Sequence, residues 1–521
     1  MNLIIHLIIH EIELTQQGFV MALGENKKRL IAILVIVILL LGIGAILFTG
    51  QPLKRGEKEE EEEPYQFIFP NYPVTTRELD NNEPSIAINP ADHNNMVAGS
   101  NDYNTPTGDA WPGYYTTHDG GRTWSEKLIP GYPEDSEISQ LSGFRGGGDP
   151  VIVASNDGTF YYAGIAFKRS VNPFNPIGFG INLGLANCVF VAKSTDNGEN
   201  FNPVIVWAAS QNLVRFNDKE WVAVDPNDSN YVYLTWSIFT GMVTSRLLFS
   251  RSTDGGQTWS FPPTVISETT DGEINLQGSA IVVDNDANVH VTWINFGDSR
   301  IRYAKSTNRG ASFSTPVDVS PFTDIPGTLP NGNYRTPSMT MLAVDHSTTN
   351  LSGSLYVTWA DYSHGDADVF LAYSNDNGNS WNGPVRVNND TVGNGIDQFF
   401  PAVAVSTDGL VHVTFYDRRD DQNNTLLEYW WGISFDGGQT FPVNLQISDA
   451  SFDGDYSRTG DNDFIGDYTG VVATNDTVAA VWCDTREGTE DDGDSEIYFV
   501  AVPYLEVLEK MGLAVEEPEE E

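Results

Sequence analysis

The groups best placed to do chemistry in this 521-residue chain are side chains that recur at the ends of short β-branched and aromatic runs. Seven units each hold two such runs. Just before the first run stand Glu83, Asp149, Glu220, Gln277, Thr336, Phe400 and Asp467, and at the end of the second stand Asp102, Ala166, Ile238, Asn295, Asp361, Asp417 and Asp484. Brought onto one rim, these acids would offer hard oxygen ligands suited to Ca²⁺, with no particular ligand set singled out. They equally suit a polar glycan pocket, and turn capping with hydrogen bonds between neighbouring units. All three readings stay open. The eight histidines lack metal-ligand spacing, no Gly-x-Ser-x-Gly elbow occurs, and GGGD at 146–149 lacks the lysine of a phosphate loop.

The elements that must position these groups are strands. PSIAI, PVIVA, WVAVD, GSAIVVD, PSMTMLAVD, PAVAV and YTGVVA read as first strands, each followed after a polar turn by a second, as in VYLTWSI or VHVTFYD. Such runs, bounded by Asn, Asp and Gly, are strand-like. An octet punctuates six of the seven units: THDGGRTW, STDNGENF, STDGGQTW, STNRGASF, SNDNGNSW and SFDGGQTF. Its third residue falls at Asp119, Asp196, Asp254, Asn308, Asp376 and Asp436, at the spacing of a four-stranded sheet. A short acid or amide there bonds its own backbone, Gly at position five supplies positive φ, and the closing Trp or Phe packs inward. The seventh unit ends in EIYFVAVP (496–503) without an octet or a fourth strand, so YQFIFPNYPVT (65–75) is predicted to pair with it and close a ring.

The octet resembles the Asp box (BNR repeat), S-x-D-x-G-x-x-W, of the sialidase superfamily of β-propellers. That resemblance implies an all-β propeller with four-stranded blades, seven by the repeat count, although sialidases have six and a six-bladed ring with an appended sheet is the alternative. It places the octets opposite any active face, as structural turns. It further implies three arginines clamping a substrate carboxylate, for which a planar guanidinium is well shaped, a tyrosine nucleophile paired with a glutamate, and an aspartate acid/base. The family's opening Arg-Ile-Pro has its nearest match in YRTP, with Arg335, but this begins the fifth unit; the first has Asn82, Glu83 and Pro84. Further rim arginines are Arg145, Arg418, Arg419 and Arg486, the last three close enough to Asp417 and Asp484 to be structural ion pairs. Tyr468 beside Asp467, with Glu220, supplies the remaining roles; Tyr468 as a packing residue is the competing reading.

A formal net charge of −43 disfavours nucleic acid as a partner. Residues 54–63 hold three basic and six acidic side chains and residues 506–521 one and seven, so most of the acidity lies between them. Leu30–Phe48 is an uncharged run of nineteen residues after Lys27, Lys28 and Arg29, about 28 Å as a helix. Positive residues stay inside, so the expected order is a cytoplasmic segment (1–29), a transmembrane helix (30–49), an acidic linker (50–64), an extracellular propeller (65–505) and an acidic, solvated tail (506–521). Cys188 and Cys483 are expected as free buried thiols. Two functions remain: a surface module binding glycan or protein, and a sialidase-like glycoside hydrolase.

Overall fold

Alternating strand patterns can bury both faces of a sheet only by stacking sheet on sheet, and the computed structural model shows this arrangement. It describes residues 67–107, 109–168, 187–208, 215–240, 244–267, 275–457, 463–490 and 492–513. The apolar run at 30–48, the linker and most of the acidic tail lie outside them. No helix among the described residues is long and apolar enough to cross a membrane.

Seven antiparallel sheets follow one another, each of four strands except the sixth, where Phe452–Asp453 adds a short fifth. The first sheet runs Asn81–Asn89, Asp92–Asp102, Trp111–Thr117, Ser125–Leu128, and the later ones repeat this meander. The seven sheets are the blades of a β-propeller, numbered in chain order. The first strands of successive blades line one central cavity of about 310 Å³, walled by residues such as Ile86, Ile152, Val222, Ile281, Leu342 and Val403. Apolar clusters sit between successive blades. Four second strands carry a fully buried tryptophan at the same place, Trp236, Trp293, Trp359 and Trp482, and blade 6 carries Phe415 there. Each such ring contributes about 2–3 kcal/mol of apolar burial. In blade 2 the position is Gly164, and Phe190 fills the gap: a Cβ on Gly164 would stand 2.6 Å from that ring.

Ring closure is as expected. Tyr72–Pro73 pairs antiparallel with Tyr498–Phe499 on the free edge of Glu496–Val502. The clasp continues where Val74 N–H donates to the Ile497 carbonyl (2.7 Å), Ile497 N–H to Thr75 Oγ1 (2.9 Å) and Asn81 N–H to the Ser495 carbonyl (2.7 Å).

Each octet lies between the third and fourth strands, on the face opposite the starts of the first strands. The pattern in STDGGQTW recurs: Ser252 Oγ donates to Asp254 Oδ1 (2.7 Å), Gly256 N–H donates to Ser252 Oγ (2.9 Å), and Thr258 N–H donates to Asp254 Oδ1 (2.8 Å). The glycine at position five docks on the preceding blade, where a Cβ at Gly378 would collide with the Tyr303 ring and one at Gly121 with Phe499. Blade 7 lacks an octet, and a helix takes its place. Tyr504–Lys510 buries Tyr504, Val507 and Leu508, with the Tyr504 ring 4.8 Å from His412 of blade 6 and its hydroxyl on Asp408 (3.1 Å). The folded part therefore runs past 505, because three apolar side chains at helical spacing precede the acidic end. Cys188 and Cys483 are both buried and free.

Val74→Asp, which puts a carboxylate into the closing clasp, is expected to cost about 3 kcal/mol or more and to lower the calorimetric midpoint. Asp254→Ala, which empties one octet, costs about 1–2 kcal/mol in the same measurement.

Candidate functional site

Among the described residues, five first strands carry a bulge at the same height, where two residues stand opposite one on the second strand. The pairs are Glu83–Pro84, Asp149–Pro150, Lys219–Glu220, Gly278–Ser279 and Phe400–Pro401. The leading residue has positive φ in each: 56°, 58°, 49°, 65° and 48°. Such a bulge re-aims a side chain, and here it brings Glu83, Asp149 and Lys219 together at the axis. The sequence expectation had Glu220 in this role. The ladder moves it by one residue, since Asp218 pairs with Ser237 and Trp221 with Thr235, leaving Lys219 in the leading place. The signal was present in Glu-Pro, Asp-Pro and Phe-Pro, where proline is second; NDKEW read in that register puts Lys219 first.

Lys219 Nζ lies 2.6 Å from Glu83 Oε1, 3.2 Å from Asp149 Oδ1 and 2.7 Å from Asp467 Oδ2. Its three donors thus meet one carboxylate from each of blades 1, 2 and 7. Arg335 adds a bidentate grip on Asp467, Nε to Oδ1 at 2.7 Å and Nη2 to Oδ2 at 2.5 Å, and stacks over Phe464 (4.5 Å). Asn101 donates to Glu83 Oε2 (2.8 Å), and Gln277 donates to Asp218 Oδ2 (2.9 Å). Lys219, Glu83, Asp149 and Asp467 are buried and Asp218 is half-buried, whereas the Arg335 side chain is 57% exposed. The network closes one end of the apolar central cavity and shows solvent mainly a guanidinium.

Burial opposes ionisation throughout, and the two cations decide which acids stay charged. For Asp467, the charges of Lys219 and Arg335 outweigh burial and hold its carboxyl well below the usual range. For Asp149, Lys219 and a hydrogen bond with Glu83 likewise outweigh burial. Glu83 goes the other way: burial, helped by the charges of Asp149 and Asp467, raises it well above an ordinary glutamate despite Lys219. Burial and neighbouring Asp149 push Asp218 up to about 7. The acids expected to gather a divalent cation thus surround an ammonium, and among the described residues no group of three or more His, Cys, Asp or Glu is placed to hold a metal ion.

The other expected site residues are placed apart from this network or spent inside the fold. Tyr468 is buried under Lys219, its ring 5.2 Å from Nζ and packed edge-on against Trp221, and its hydroxyl donates to the Pro150 carbonyl (3.1 Å). Both carboxyl oxygens of Glu220 are buried without a hydrogen-bond partner among the described residues, and burial raises its pKa well above the usual range. Arg418 is fully buried and donates to the carbonyls of Pro330 (2.8 Å) and Asn424 (2.9 Å) and to the Tyr334 hydroxyl. Arg419 pairs with Asp417 (2.6 Å) and stacks on Trp430; Arg486 pairs with Asp484 (2.7 Å) and Asp449 (2.5 Å). Arg145 is exposed on its loop. Asp102 accepts from Asn104 N–H (2.7 Å) and lies 3.7 Å from Arg77. Asp361 accepts from the backbone of Thr323 and Ser363, and Asp484 from the Trp482 indole (2.8 Å). Residues of this rim that sequence reasoning missed are Lys219, Asp218, Asn101 and Phe464.

No family model matches the chain, and neither does any curated protein. Solved structures that match include a protein of unknown function from Dyadobacter fermentans, at 12% identity over 83% of this chain and 97% of that one with a TM-score of 0.43. A Hadza microbial sialidase is 14% identical over 78% and 73%, with a TM-score of 0.43. An ulvan lyase of a polysaccharide lyase family is 13% identical over 85% and 100%, with a TM-score of 0.45.

Lys219→Met leaves three buried carboxylates without their cation and is expected to cost about 3–5 kcal/mol; adding Glu83→Gln and Asp467→Asn recovers part of the loss if charge is its cause, as chemical denaturation would show. Asp218 has the opposite sign from a salt-bridged acid. Its carboxyl titrates at about 7 folded against 3.8 ordinarily, so stability falls as pH rises between those values. Asp218→Asn should therefore raise the melting temperature relative to the parent at pH 8 and leave it unchanged at pH 4.

Proposed function

We propose that this chain is a surface-displayed, sialidase-like propeller that binds glycan or protein rather than cleaving glycan. The observation that carries the reading is the state of the axial acids. Glu83, Asp149 and Asp467 are buried around Lys219, Tyr468 and Glu220 lie beneath them, and Arg418, Arg419 and Arg486 are committed elsewhere. A clamp of three converging guanidiniums with an accessible acid and nucleophile is what hydrolysis of a carboxylated sugar would need, and among the described arginines Arg335 alone is both exposed and axial. The octets are read as Asp boxes on the opposite face, the run at 30–48 as an uncleaved anchor holding the propeller outside the cell, and the acidic surface as what keeps it soluble there.

One observation favours the second reading, an exo-acting glycoside hydrolase. Asp218 is half-buried at the rim with a pKa of about 7, where a general acid/base works best, and Arg335 lies in the same network. The full-length protein assayed on fluorogenic sialosides and other glycosides, with and without chelator, is expected to show binding without turnover. Turnover that Asp218→Asn or Arg335→Ala abolishes would reverse the order of the two readings.

A further inference from the structure

A groove outside the axis lies on the flank of blades 1 and 2, with a volume of about 1000 Å³. It exceeds the capped axial cavity and reaches the upper end of the range for ligand sites, roughly 300–1,000 Å³, which is room for several sugar rings. One wall is the outer strand of blade 1, Ser125–Leu128; the other is the loop 130–142 together with the turn Asn200–Pro203 of blade 2.

The loop is held in shape by its own side chains. Asp135 accepts from Gly131 N–H (2.8 Å) and Glu137 N–H (2.9 Å), Ser139 Oγ donates to the Pro130 carbonyl (2.7 Å), and Leu141 is fully buried. Gln140 ties the loop to blade 2 by accepting from Ile205 N–H (3.0 Å). Gly131, at φ +104°, could not carry a Cβ without striking Ser139. A wall ordered before binding loses little entropy when a ligand arrives.

The lining chemistry selects the ligand class. The amide of Asn202 and the hydroxyl of Tyr132 make no hydrogen bond among the described residues, and Gln140 keeps its amide N–H₂ free of described partners while its oxygen is used. These face the groove with Pro130 and Pro203 as apolar floor. Amides and a phenol over an apolar floor match alternating hydroxyls and C–H faces. The two cations present are already engaged: Arg77 with Glu126 (3.0 Å) and Lys127 with Glu199 (3.1 Å). In a chain of net charge −43, an anionic ligand would find no free counter-charge here. A peptide adding a β-strand is disfavoured as well, because Arg77 Nη2 covers the outward Glu126 carbonyl (3.2 Å).

We propose that this flank groove binds a stretch of uncharged oligosaccharide, with Tyr132, Gln140 and Asn202 as its recognition groups. The inference rests on the glycan-binding reading and locates it away from the axis. The test screens the full chain against an array of neutral and acidic oligosaccharides and then titrates the best neutral ligand calorimetrically. Tyr132→Ala and the exposed Asn202→Ala are each expected to weaken binding about tenfold, while Phe261→Ala, on the flank of blade 3, changes nothing. Neutral-glycan binding that neither variant weakens overturns the groove and leaves the glycan reading standing. Binding of acidic glycans alone, or of a protein through these same residues, overturns the ligand class. No binding to any array member overturns both.

Discussion

A single ammonium ion inside the ring sets the terms for everything around it. Lys219 stands where blades 1, 2 and 7 converge, and its three hydrogen bonds end on three carboxylates that would repel one another if it were missing. The partners are far apart in sequence, Glu83 lying 136 residues away. Burying such a cluster is tolerable only when charges and hydrogen bonds are satisfied together. Here the charges of Lys219 and Arg335 pull the Asp149 and Asp467 carboxyls below the usual range, while burial raises that of Glu83. The apolar cavity beneath stays capped as a result.

The rest of the ring is held by turns, a helix and a terminal clasp. Octets on one face dock each of six blades on the one before it, in five of them through a glycine that leaves no room for a Cβ, and the C-terminal helix packs the blade without an octet. Among the described residues the clasp between 72–75 and 495–499 is the sheet pairing that spans the chain, and it removes the edge that a seven-sheet array would otherwise expose. Local turns, a terminal clasp and an axial cation thus divide the work among three different faces of the same ring.

This division bears on function. An axis that serves as an ionic hub has its acids engaged before any ligand arrives, which is why an accessible guanidinium and a half-buried aspartate are the main groups it shows to solvent. The flank between blades 1 and 2 is the reverse case. Its loop wall is hydrogen-bonded within itself, and Tyr132, Asn202 and the Gln140 amide N–H₂ have no partner among the described residues.

Much of the architecture was legible in the residues alone. Blade number followed from seven recurrences of a strand pair, the closing strand from the missing fourth strand after EIYFVAVP, and the turns from octets whose hydrogen bonds are made within eight residues. The ion pairs of Arg419 and Arg486 were legible too, because their carboxylates are two residues away. Lys219 was not: a bulge shifts the facing of a strand by one residue, and that shift turns Glu220 into the wall and the lysine toward the axis. Nor was the burial of Arg418, which donates to the Pro330 carbonyl and the Tyr334 hydroxyl on a distant loop as well as to Asn424 of its own blade. Periodic pattern determines which segments are strands and how many blades they make, since it acts between near neighbours. Which charges meet at the centre depends on bulge register and on the stacking of distant blades, and only the closed ring decides that.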